Sequence, residues 1–212
     1  MATGRNVGKS FGGIGARGAR HSEKNDQPSL LIGDSMCAKN TDTADKQTKG
    51  YCWYKTTNGI KRHLLVDVLG NPYFVGCTKA SVSDDDGLLE LIRENKPYFL
   101  DLPAEQTVTI LLDNGYHKDY LEQEIERIDA RLRGKIKIEI SAKITPEQKR
   151  ESKVTSPEKN GFVVIKKRWI VERTNAWLNQ CRVLWKNCEG LLRTSEAKIR
   201  ICAIRLILRR IA

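Results

Sequence analysis

An α/β layered domain is the fold class that this sequence predicts, and three observations carry it. Two apolar runs read as buried strands, Leu30 to Gly33 and Thr107 to Leu112, and an aspartate follows each directly. Two β-like stretches, Ile60 to Val68 and Tyr73 to Ala80, flank the turn signature Leu69-Gly70-Asn71-Pro72 and predict a hairpin. Segments with apolar residues at helical spacing come after them. Strands first, then strands mixed with helices, pack as layers on a shared core. A chain of 212 residues is long enough for one such domain.

In chain order, residues 1–28 are rich in Gly and Arg and lack periodicity, so they predict a disordered tail. Order is expected from Ser29, with the first strand closing on Asp34 and a polar, loop-like stretch over 35–58. After the hairpin, Ser83 ahead of Asp84, Asp85 and Asp86 is a helix-capping signal, with Leu88, Leu89, Leu91 and Ile92 as the apolar side. The strand 107–113 ends at Asn114-Gly115. An amphipathic helix over 119–133 and a strand over 136–140 come next. Residues 141–161 read as a polar loop. Helices over about 163–182 and 195–211, the second capped by Ser195, end the chain.

Net charge is +11, unevenly spread: residues 161–212 hold 12 Lys and Arg against 3 acids, whereas residues 29–160 hold 20 against 21. A near-neutral body with a cationic C-terminal quarter fits a surface for polyanions, or else a solvated helix face. No stretch approaches the roughly 18 apolar residues of a membrane span, and the N-terminus has no secretory core. A cytoplasmic protein without membrane contact is expected. The six cysteines form no CxxC pair and no zinc spacing, which predicts reduced structural thiols. Of the four tryptophans, Trp169, Trp177 and Trp185 recur every eight residues and are expected to pack, leaving Trp53 free to meet a base.

The most informative stretch runs from Lys166 to Asn179. Arg168, Glu172, Asn175, Asn179 and Arg182 share one helix face, while Val171, Thr174, Leu178, Cys181 and Trp185 form a second stripe suited to a core. Glu172 lies among the cations Lys166, Lys167, Arg168 and Arg173, and Arg182 comes shortly after. Together with Asp34 and Asp113 at strand ends, it would supply oxygen ligands for two Mg²⁺ or Mn²⁺ ions, a phosphodiester-processing site. Each acid alone has a plainer reading. Asp34 and Asp113 suit strand-end turns, and Glu172 suits an ion pair with Arg168. Asp67 and Asp84 to Asp86 are assigned to turns and capping. His63 and His117 are assigned to polar packing, the latter near Asp113.

With these motifs in hand, the chain resembles a bacterial insertion-sequence transposase of the Asp-Asp-Glu (DDE) type, in the four/five superfamily. The resemblance covers about 28–212. It rests on Asp34-Ser35 with Lys39, on Gly59 to Asp67 with Gly70, on Ala80-Ser81-Val82 followed by Asp84 to Gly87, and on Leu112-Asp113-Asn114-Gly115-Tyr116. The helix beginning Arg168-Trp169-Ile170-Val171-Glu172-Arg173-Thr174 and the terminal Ile204 to Arg210 complete it. The resemblance implies a ribonuclease-H-like three-layer fold with a mixed central sheet flanked by helices. It also implies that Asp34, Asp113 and Glu172 are the catalytic, metal-holding acids. Lys166, Lys167, Arg168, Arg173, Asn179 and Arg182 would contact double-stranded DNA, with a homodimer or higher assembly on transposon ends. The implied activity is cleavage at those ends followed by strand transfer, in a nucleoid-associated protein. Two positions depart from the family signature: Ile165 stands for Tyr and Asn179 for Lys. Only about 30 residues precede Asp34, so the N-terminal DNA-binding region usual in the family is expected to be absent. A truncated copy, a frameshift partner, or a catalytically inactive DNA-binding remnant is therefore also expected of such a chain.

Overall fold

The computed structural model describes residues 27–141 and 167–211. Among them, β1 (Leu30–Lys39), β2 (Gly50–Cys52), β3 (Thr57–Val66), β4 (Pro72–Lys79), β5 (Val108–Leu112) and β6 (Ile136–Ile140) form one six-stranded sheet. β1 pairs antiparallel with β3 and parallel with β5, β3 pairs antiparallel with β4, and β5 pairs parallel with β6. β2 pairs with the start of β3. The order β4-β3-β1-β5-β6, with the first three neighbours antiparallel and the rest parallel, is the mixed sheet of a ribonuclease-H-like fold.

Helices cover both faces, making three layers. On one side α1 (Asp84–Glu94), α2 (Lys96–Leu100) and α3 (Lys118–Ile128) bury Leu88, Ile92, Phe99 and Leu121 against Leu31, Leu65, Ile110 and Leu112. On the other, α4 (Trp169–Asn179) and α5 (Leu192–Ile211) bury Val171, Leu178, Ile199 and Cys202 against Ile32, Leu64, Val66 and Val75. Alternation along β1 sets the direction of its polar side chains. Leu31 faces the α1 side and Ile32 the α4 side, so Asp34 and Met36, at period two from Ile32, also point toward α4.

The expected α1 cap is present: the Ser83 side chain accepts from the Asp86 amide. Several expectations are corrected. Asp34 does not end its strand, because β1 continues through Lys39 by pairing residue for residue with Gly59 to His63. Those polar residues resemble loop in composition, and the long β3 neighbour overrides that propensity. The 119–133 helix stops at Ile128 and continues as a 3₁₀ turn, Ala130–Gly134. α5 begins at Leu192, and Ser195 lies buried inside it, donating to the Asn187 side-chain oxygen at 2.6 Å rather than capping. The helix expected over 163–182 ends at Asn179, so Arg182 sits in a separate 3₁₀ turn, Arg182–Leu184, off the α4 face. Of the apolar stripe, Val171, Thr174, Leu178 and Cys181 are buried, whereas Trp185 is exposed. Residues 163–166, and with them Lys166, lie outside the described residues.

α4 is pinned to the β3–β4 turn. Thr174 donates its hydroxyl to the Gly70 carbonyl at 2.8 Å, and Arg173 donates to the Leu69 carbonyl at 2.8 Å. Asp67 braces the same turn by accepting from the Leu69 and Asn71 amides, both at 2.8 Å. Gly70 has φ +82°, and a Cβ there would stand 2.9 Å from both the Arg173 guanidinium and Thr174 Oγ1. Gly70→Ala is therefore expected to cost about 1–3 kcal/mol through backbone strain and the displaced contacts. A lowered urea midpoint would register it, and an unchanged midpoint would show that the turn does not hold α4.

Candidate active site

Three elements deliver carboxylates to one cleft of about 490 Å³. β1 supplies Asp34, the residue after β5 supplies Asp113, and α4 supplies Glu172. Asp113 falls on the same face as Asp34 because β1 and β5 run parallel with Ile32 opposite Leu111. Three acids far apart along the chain are thus gathered at one place.

Arg168 organises the group. Its guanidinium meets Asp113 at 2.6 Å and Glu172 at 3.5 Å. Asp113 also accepts from the Gly115 amide at 2.5 Å, which fixes the Asn114-Gly115 turn beneath it. Asn175, one turn beyond Glu172, donates its amide to Asp34 at 2.8 Å. Burial pushes the Asp34 carboxyl up to about 6 against the attraction of Arg168, and the nearby Asp113 and Glu172 charges add to the rise.

Asp84 is the residue that sequence reasoning misses. Its sequence context assigns it to capping, yet it lines the same cleft, accepting from Ser35 Oγ at 2.6 Å and pairing with Lys61 at 2.8 Å. Burial would raise its carboxyl, but the hydrogen bonds from Lys61 and Ser35 outweigh that and hold it below its ordinary range. Tyr116 is buried and lines the same cleft, and burial pushes its phenol well up. The acidic triplet disguises Asp84: Asp86 does cap the helix with Ser83, and Asp85 pairs with His117 at 2.8 Å. His117 therefore faces Asp85 rather than Asp113. His63 is buried and shares a 2.8 Å hydrogen bond with Thr78, as its packing assignment implies.

The basic residues separate into different environments. Arg168 and Asn179 line the cleft, the latter 3.4 Å from Met36 Sδ. Arg173 lies over the rings of Trp169 and Trp177, at 4.5 and 4.6 Å, and is committed to the Leu69 carbonyl. Lys167, with φ 72°, and Arg182 are exposed at the two ends of α4. A larger depression of about 660 Å³ beside α3 and β6 is walled by Glu122, Glu126, Arg133 and Lys137, exposed side chains that include the Arg133–Glu126 ion pair.

The donors suit a hard divalent cation: Asp34, Asp113, Glu172 and Asp84 offer only oxygen, and the buried Asn175 Oδ1 beside Asp34 has no hydrogen-bond partner. With Arg168 between Asp113 and Glu172, no three His, Cys, Asp or Glu side chains among the described residues form a cage around one point. No helix among these residues is long and apolar enough to cross a membrane.

A ribonuclease-H-like sheet carrying two aspartates and a helical glutamate on one cleft defines a DDE-type domain. The Transposase DDE domain family model matches residues 25–207, and the chain belongs to that family. Domains of this family generally use divalent metal ions. Comparison with curated proteins gives no significant match. Among solved structures the chain is similar to the piggyBac transposase synaptic complex with hairpin DNA, determined by cryo-electron microscopy. The TM-score is 0.42 at 12% identity, over 85% of this chain and 46% of that one. The chain thus spans about half the length of that transposase.

Proposed function

We propose that this chain is the catalytic domain of a bacterial insertion-sequence transposase, of the four/five superfamily, that cuts DNA at transposon ends and joins them to a target. The observation that carries the reading is the convergence of Asp34, Asp113 and Glu172 on one cleft of a DDE-family chain. Asp34, Asp113 and Glu172 would hold two Mg²⁺ or Mn²⁺ ions, with Asn175 orienting Asp34. Ions there supply Lewis-acid charge at the scissile phosphate. Arg168 would then be free to pair with phosphate oxygens, and Lys167, Arg182 and Asn179 flank the path of the strand. Lys166 and Arg173 belong to the same basic stretch, although Arg173 serves first as a brace for α4. Positioning and charge neutralisation provide most of the acceleration in phosphoryl transfer.

On this reading residues 29–212 are the catalytic domain, residues 1–28 are a basic tail, and a homodimer or higher assembly forms on double-stranded DNA in the nucleoid. The test is nicking of supercoiled DNA bearing the element's ends by the purified chain. Nicking is expected with Mg²⁺ or Mn²⁺ and should vanish with a chelator. Salt-sensitive binding with no nicking under either ion would instead describe a DNA-binding remnant.

A further inference from the structure

Next to the cleft the chain holds two large aromatic rings in water. After β2, a 3₁₀ turn, Trp53–Lys55, leaves Trp53 81% and Tyr54 99% exposed. This is not a frayed end. Buried Cys52 anchors the turn on one side, β2 pairs it to the start of β3, and the Thr56 amide closes it onto the Trp53 carbonyl at 3.3 Å. Tyr51 sets its ring edge-on to Trp53, centroids 4.9 Å apart at 83°, which fixes the indole plane while leaving one face open. An exposed indole adds nothing to the core, so stability does not account for it.

Charge identifies the occupant. Residues 39–55 carry Lys39, Lys46, Lys49 and Lys55 against Asp42 and Asp45, a surplus of two cations. Lys55, next to Tyr54, lines the cleft that holds Asp34 and Glu172 and has no ion-pair partner among the described residues. Aromatic faces interleaved with lysines, continuous with an acidic phosphodiester site, match a strand whose phosphates track the cations and whose bases stack on the rings.

We propose that Trp53 and Tyr54 form a stacking site for unpaired nucleobases of a DNA strand entering the cleft. The proposal rests on the DNA reading of that cleft and assigns the aromatic turn to the strand next to the scissile phosphate. A duplex keeps its bases stacked inside, so the turn discriminates for frayed, flipped or single-stranded DNA.

The experiment measures anisotropy of labelled oligodeoxythymidylate and of a fully paired blunt duplex on the full chain, in chelator so that no cleavage intervenes. The Trp53→Ala/Tyr54→Ala double variant should weaken single-strand binding about 10-fold or more while leaving the duplex within about twofold, and Trp53→Phe should keep most of the affinity. A fluorescent adenine analogue in the strand should be quenched by the unaltered chain and not by the double variant. Equal affinity of variant and parent for the single strand overturns the proposal, as does an equal loss on both DNAs or absence of single-strand binding by the parent. A concentration-dependent dimer that dissociates in the double variant, with DNA affinity unchanged, would overturn it too and assign the rings to a second copy of the chain. Failure to nick DNA with metal, by contrast, removes the catalytic reading and leaves this one standing.

Discussion

Glu172→Gln is expected to abolish metal-dependent nicking while leaving the fold almost untouched. The two halves of this result have separate causes. The Glu172 side chain is 57% exposed, and its one ion pair among the described residues, to Arg168, is 3.5 Å long. A pair that open to water contributes at most a few tenths of a kcal/mol, so the urea midpoint should hardly move. On the proposed reading catalysis needs the full negative charge, because an amide is a poor ligand for a hard divalent ion and several kcal/mol of transition-state stabilisation would depend on that ion. The expected fall in rate is about 10³-fold. Asp113→Asn should lose activity similarly but also some stability, since it breaks the 2.6 Å contact to Arg168 on a half-buried side chain. Glu126→Gln, an exposed acid paired with Arg133 outside the cleft, is the control and should do neither. Nicking by Glu172→Gln at the parental rate would remove Glu172 from the site.

The legible and the hidden parts of this sequence have one physical explanation. Asp34 and Asp113 are visible because each directly succeeds an apolar run, and Glu172 because an acid inside a basic amphipathic stretch is conspicuous. The α1 cap, the strand over 136–140 and the β3–β4 turn rest on local rules, and they appear as expected. The extension of β1 through Lys39 is hidden, because it is stabilised by β3 rather than by its own residues. Asp84 is hidden for a related reason. Its partners Ser35 and Lys61 are 49 and 23 positions away, and only the β1–β3 register brings them to the start of α1. Arg173 has contacts that are hidden in a different way. A cation next to a candidate metal-holding acid reads as a phosphate ligand, and the fold also engages it with two tryptophans and a turn carbonyl. Local patterns identify which residues are unusual, whereas long-range pairing decides what each one touches.

Asp34→Asn should make the metal-free protein more stable and inactive at once. In the folded chain burial pushes the Asp34 carboxyl from 3.8 up to about 6, so between those values the folded state holds a proton that the unfolded chain has released. Stability from this group is complete below the unfolded value and is lost as pH rises toward 6. At neutral pH the charged carboxylate opposes folding, by roughly 2–3 kcal/mol for a shift of this size. An asparagine has no proton to lose and can still accept the Asn175 amide, so the variant escapes the penalty. His63 acts in the opposite sense. Burial pulls its imidazole down to about 4, so its contribution is present above the ordinary 6.5 and is lost as pH falls. The two slopes oppose each other over pH 4 to 6, and the parent's profile alone would look flat. The comparison that isolates Asp34 is the gap between variant and parent, near zero below pH 4 and growing to its full value above pH 6. Adding Mg²⁺ or Mn²⁺ should close the gap, because a cation bound to the folded parent raises its midpoint and has less to bind in the variant. A variant less stable than its parent at neutral pH, or a gap independent of pH, would mean that Asp34 is comfortable as an anion without metal. The cleft would then not be a cation site held in reserve, because no stability would be given up to keep a buried carboxylate charged.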